Sequence, residues 1–135
     1  MQVQPYLFYE GRCEEAIDFY RGAVGAEVQM LMRFKDAPDK PEHLPPGSAH
    51  KVMHATLKIG SSSVSMSDGH CSGTPRFAGL ALSLTVADQA IAQRTFAGLS
   101  NGGEVSMPLA KTFFSPLFGM VTDRFGLLWM VMLEA

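Results

Sequence analysis

The chain has 135 residues, 47% of them hydrophobic and 18% charged, with 11 basic and 13 acidic side chains giving a net charge of -2. That length suits one domain with a real core, and the composition is that of a folded globular protein rather than a disordered one. Without a basic block it offers nothing to a nucleic-acid backbone, and no run approaches the roughly 18 apolar residues of a membrane span. The opening MQVQPYLFYEG has no basic region followed by an apolar one, so no secretory signal is expected. Cys13 and Cys71 are too few for a disulfide framework and lack metal spacing. The expectation is a cytoplasmic protein with reduced thiols.

In chain order, Val3 to Tyr9 reads as a strand, with Pro5 lacking an N–H near its start. Cys13 to Val24 is a helix whose Ala16, Ile17, Phe19, Tyr20 and Val24 form one apolar arc, ended by Gly25. Ala26 to Phe34 is a second strand. Residues 35–51 carry Pro38, Pro41, Pro45 and Pro46 and form one long loop, read either as a flap over a pocket or as a plain surface excursion. Val52 to Ile59 and Ser63 to Ser67 form a hairpin across Gly60, and a turn-rich linker runs from Asp68 to Pro75. Gly79 to Val86 is again a strand. Asp88 caps a helix from about Gln89 to Asn101, closed by Gly102-Gly103. Strand resumes over Glu104 to Met107, a loop or irregular edge covers Pro108 to Pro116, and Leu117 to Thr122 and Leu127 to Leu133 close the chain as a hairpin. Asp123 to Gly126 makes the turn of that hairpin. Leu127 to Leu133 is apolar at every position, as in a central strand covered on both faces.

This order is a repeat. Gly25-Ala26-Glu27-Val28 follows the first helix and Gly102-Gly103-Glu104-Val105 the second, while Gly60 and Gly126 sit in the last hairpin of each half. Each half is a βαβββ module, giving an α+β fold with modules at about 1–70 and 76–135. One helix cannot cover both faces of a four-stranded sheet, so the two modules are expected to share a concave surface, and a small ligand is expected in that concavity.

Four stretches carry a resemblance: YLFYEGRCEEAIDFYRGAVGAEV at 6–28, VMHATLKIGSSSVSMSDG at 52–69, GLALSLTVAD at 79–88 and NGGEVSMPLAKTFFSPLFGMVTDRFGLLWMV at 101–131. Their order and spacing resemble the vicinal oxygen chelate (glyoxalase/bleomycin resistance) superfamily, and within it the PhnB-like proteins once labelled 3-demethylubiquinone-9 3-methyltransferase-like. The resemblance implies a single domain over 1–135, with two βαβββ modules forming a curled eight-stranded mixed sheet around a cavity, and often a homodimer. It also implies a divalent metal held by His and Glu on the first and last strand of each module. Here those positions match Pro5, Gly79 and Met130, with only Ser65 polar between Val64 and Met66. The usual metal site is therefore not expected, no cofactor is predicted, and the methyltransferase label finds no glycine-rich nucleotide-binding pattern.

The remaining polar residues define the functional expectations. His54 is either a general base or ligand donor, or a strand histidine satisfied by a neighbour. Asp68 is either a catalytic or metal-binding carboxylate or the shaper of the turn at Gly69. His70 and Cys71, with His43 and His50 from the loop, could approach it. Ser65, Phe114, Trp129 and Met130 are the candidate ligand contacts. Phe114 stands where the PhnB-like pattern usually has Trp. The leading reading is a PhnB-like protein that binds an unidentified small molecule. The alternatives are a metal-dependent lyase, isomerase or dioxygenase with non-standard ligands, and a non-catalytic dimeric binding or sequestration module.

Overall fold

The computed structural model describes residues 1–38 and 44–135. They form two compact units, Met1–Pro75 and Arg76–Ala135. The first contains β1 (Tyr6–Phe8), α1 (Cys13–Val24), β2 (Glu27–Arg33), β3 (Val52–Ile59) and β4 (Ser62–Ser67); the second contains β5 (Leu82–Val86), α2 (Gln89–Ser100), β6 (Glu104–Ala110), β7 (Phe118–Thr122) and β8 (Leu128–Leu133).

Each unit closes its own four-stranded sheet, in the orders β1-β4-β3-β2 and β5-β8-β7-β6. The two orders are the same when the halves are aligned. In each, the first strand lies parallel to the last, and the other neighbours are antiparallel. The expected single curled sheet of eight strands is therefore corrected: there are two four-stranded mixed sheets, and among the described residues no strand of one pairs with a strand of the other. Among the described residues, every ladder bond is made inside a module.

In the first unit the apolar arc of α1 buries Cys13, Ala16, Ile17, Tyr20 and Ala23 with Leu7, Ala55, Leu57, Val64 and Met66 of the strands. Phe19 and Val24, assigned to that arc from the sequence, are only half-buried. Gly25 takes the left-handed conformation at φ 69° and its N–H returns to the Tyr20 carbonyl, which ends the helix. In the second unit Ala92, Phe96 and Leu99 of α2 are buried, as are Val121, Trp129 and Val131. Gly119 lets the helix approach, because a Cβ there would lie 2.8 Å from Phe96 Cε2. As expected, Asp88 caps α2, accepting from the N–H groups of Ala90 (2.7 Å) and Ile91 (3.1 Å).

Three local expectations change. The Pro108 segment belongs to β6, which runs on to Ala110; β6 is the outermost strand, and its register shifts between Met107 and Ala110, so the missing proline N–H breaks no interior ladder. β8 lies inside the sheet, yet only Trp129 and Val131 are buried, while Leu128, Met130 and Met132 on the alternate face are half-buried. The long loop is not wholly irregular, because it opens and closes on single 3-10 turns at Phe34–Asp36 and Ser48–His50. Its central positions, with His43 and Pro41, lie outside the described residues.

Candidate functional site

Strand pairing fixes which side chains share the sheet face that α1 leaves uncovered. Directly opposed residues point to the same side. Tyr6 lies opposite Ser65, Ser65 opposite Thr56, and Thr56 opposite Met30, so one row crosses all four strands. A second row pairs Phe8 with Ser67 and His54 with Met32. On β1 it is thus Tyr6, not Pro5, that stands beside Ser65; Pro5 precedes the strand and contributes its carbonyl to the Ser65 N–H at 3.0 Å. By the same argument Ser83, not Gly79, stands beside Met130 in the second unit.

The first of these faces carries a hydrogen-bonding strip. The Tyr6 hydroxyl and His54 Nδ1 are 2.8 Å apart, and the rings tilt together with centroids at 5.5 Å. The bond passes over β4, which separates their strands. The histidine tautomer decides which of the two donates. Thr56 Oγ1 lies 3.5 Å from His54 Nε2, a long contact. Partial burial pushes the Tyr6 phenol above the ordinary tyrosine value, with a Ser67 hydrogen bond pulling it back, so the phenol is protonated at neutral pH. Tyr6 is 44% exposed and Phe8 48%, with their rings 5.1 Å apart, whereas Ser65 beneath them is buried. The arrangement can offer a small molecule a phenol, an imidazole and two hydroxyls, flanked by Phe8, Met30 and Met32.

Asp68 has a different setting. It is 1% exposed. Its Oδ1 accepts from the N–H groups of Gly11 and Cys13, both at 2.8 Å, and its Oδ2 from Val52 N–H at 2.7 Å. Arg12, at the N-cap of α1, makes no side-chain cap; Asp68 supplies the missing acceptor and sets a negative charge at the positive end of the helix. One carboxylate thereby ties the β1–α1 turn, the start of α1 and the start of β3. The Cys13 thiol beside it is pushed up by burial, then by the charges of Asp68 and Glu14, and is inert as a nucleophile. Burial also raises the Cys71 thiol, with a Ser48 hydrogen bond opposing.

In the second unit Met130 lies on the open face of the sheet, in a row with Met120 and Met107. Phe114 is half-exposed and packs edge-on against Phe118, which pairs with Met132 of that face. Trp129 is on the opposite, helix-covered side, 2% exposed, and donates its Nε1–H to Asp123 Oδ2 at 2.9 Å. Asp123 Oδ1 also accepts from Phe125 and Leu127 N–H, and Gly126 at φ 89° completes the turn. The sequence had marked this segment as the pin of the last hairpin, and the structure agrees. It did not single out Tyr6. The period-2 alternation of a first strand could have placed Tyr6 and Phe8 together on one face, but only the register brings Tyr6 to His54.

Among the described residues no three His, Cys, Asp or Glu side chains converge to hold a metal ion. The order of elements, the two parallel first-to-last strand pairs and the open faces match a known arrangement, and the family model described as 3-demethylubiquinone-9 3-methyltransferase covers residues 1–132. The chain belongs to this family, the PhnB-like group of the vicinal oxygen chelate superfamily. Among PhnB-like relatives, protein YjdN of Escherichia coli K12 is 34% identical over 97% of this chain and 94% of its own. The crystal structure of protein PA1353 from Pseudomonas aeruginosa is 40% identical, with a TM-score of 0.85 over 99% of this chain and 98% of that one. A PhnB protein from Bacillus cereus, at 24% identity, shares the fold with a TM-score of 0.80 over 99% and 100% of the two chains. No helix among the described residues of this PhnB-like chain is long and apolar enough to cross a membrane.

Proposed function

We propose that this PhnB-like protein binds a small oxygen-rich molecule on the open face of its first sheet, without a resident metal. The observation that carries the reading is the Tyr6–His54 hydrogen bond, which bridges two non-adjacent strands on a face that keeps Tyr6 and Phe8 about half exposed. Polar groups converging on an otherwise apolar surface fix a ligand's orientation. In this reading His54 and Tyr6 contact the ligand, Ser65 lies beneath it, and Asp68 holds the frame rather than reacting. Methyl transfer, named in the family description, finds no support in a glycine-rich nucleotide-binding pattern of this sequence. The chain is taken as one domain, cytoplasmic and homodimeric. Free Cys13 and Cys71 support the cytoplasmic reading, and a fully exposed Phe113 supports a partner surface.

The test is a thermal-shift screen of small hydroxy- and keto-acids, followed by calorimetry on any that raise the melting temperature. Tyr6→Phe and His54→Gln should each weaken such a ligand about tenfold, the scale of one lost hydrogen bond in a partly covered site. A ligand indifferent to both substitutions, or a panel in which nothing binds, overturns the proposal.

A further inference from the structure

The open face of the second sheet is rich in thioethers. Of nine methionines in the chain, Met107 on β6, Met120 on β7, and Met130 and Met132 on β8 stand on it. Three of them make one cross-strand row, because Met107 pairs with Met120 and Met120 with Met130, and Ser83 of β5 completes it. Opposed residues on one face have Cβ atoms about 4.5–5.5 Å apart. Met has three rotatable side-chain bonds and adapts to irregular geometry. Three sulfurs can therefore meet above Met120, and Met132, two residues along β8 on the same face, is in reach as a fourth.

This arrangement is not imposed by the fold. The matching row in the first sheet is Tyr6, Ser65, Thr56 and Met30, with one thioether instead of three. β6 also shifts register on both sides of Met107 and still keeps it opposite Met120; such bulges re-aim side chains. Met107 is 43% exposed and the other three are half-buried, so the group is open to solvent. The residues paired in this row and in the row through Met132, Ser83, Thr85, Phe118 and Ala110, carry no charge, while the row on the other side, Leu128, Thr122 and Glu104, holds one carboxylate.

Thioether sulfur is a soft, neutral donor that selects copper(I) over hard divalent ions, which call for carboxylate, carbonyl or water oxygen. We propose that Met107, Met120 and Met130 form a binding site for a soft monovalent cation of the copper(I) and silver(I) class, with Met132 as an additional donor. Binding exchanges the ion's solvent ligands for thioethers, with no change of oxidation state.

The test uses silver(I), which needs no reductant, titrated into the full chain labelled with 13C at the methionine methyls. The methyl signals of Met107, Met120 and Met130 should shift together and saturate near one equivalent, while those of Met30 and Met66 stay in place. Met120→Leu, a swap of similar volume that leaves the core sound, should weaken the titration at least tenfold, and Met30→Leu should not change it. Because a thiol is a stronger soft ligand, the titration is repeated in Cys71→Ser, where the three shifts should persist. Absence of these shifts, their loss in Cys71→Ser, or an unaltered titration in Met120→Leu overturns the proposal.

Discussion

Replacing Asp68 by asparagine should destabilise the first unit severely while changing almost no volume. The carboxylate is buried and takes three main-chain N–H bonds, two on Oδ1 and one on Oδ2. An amide can keep its oxygen toward Gly11 and Cys13 only by turning its NH2 toward the Val52 N–H. That leaves the Val52 N–H unsatisfied and faces it with a second donor, at a cost of at least about 1–3 kcal/mol. The two surviving bonds also change from charged to neutral acceptors, losing about 1 kcal/mol each. The expected loss is then about 3–5 kcal/mol, a large share of the roughly 5–15 kcal/mol typical of a small domain. Urea unfolding followed by far-ultraviolet circular dichroism measures the total. Amide hydrogen exchange gives the local signature, since Val52 should lose more protection than Gly11 or Cys13. A loss under about 1 kcal/mol, or a Val52 amide as protected as before, would refute the account of Asp68 as the central tie.

Two further perturbations test other parts of the frame. Gly119→Ala places a Cβ 2.8 Å from Phe96 Cε2 and 3.0 Å from both Leu109 Cδ2 and the Met107 carbonyl oxygen; it should cost about 1–3 kcal/mol in thermal melts, and an unchanged melting temperature would mean that α2 does not pack as described. The Glu14 carboxyl is held below the ordinary glutamate range by its hydrogen bonds to Arg33, then by that residue's charge. Because the folded value is the lower one, the pair stabilises above the ordinary glutamate value and its contribution disappears as pH falls through the lowered one. Melting curves of Glu14→Gln and the parent chain should therefore differ slightly at neutral pH and converge as pH falls through the lowered Glu14 value; a gap that widens in acid contradicts the assignment.

Much of the fold was legible because it is local. The bounds of α1 follow from an arc of apolar residues and a glycine that stops it, and β3 alternates Ala55, Leu57 and Ile59 inward against His54, Thr56 and Lys58 outward. What was not legible depends on register and distance in sequence. Alternation assigns faces within a strand but cannot say which residue of β1 lands beside Ser65, and a displacement of one residue separates Pro5 from Tyr6. The role of Asp68 was hidden because its three donors lie 16 to 57 positions away. Residue type alone left Trp129 as either core or pocket wall; its burial and the indole N–H donated to Asp123 depend on register and turn geometry. The repeat suggested eight strands but not that every ladder closes within its own half.

The irregular path of β6 has a consequence for the protein in crowded solution. An outermost strand is a template onto which foreign chains can zip, seeding fibrils. Here the template is defaced: Pro108 withholds a donor and the register slips twice within a few residues, so no unbroken series of matched main-chain groups is offered for copying. The same departures from ideal geometry that set Met107 in its place thus help keep one molecule from polymerising with the next.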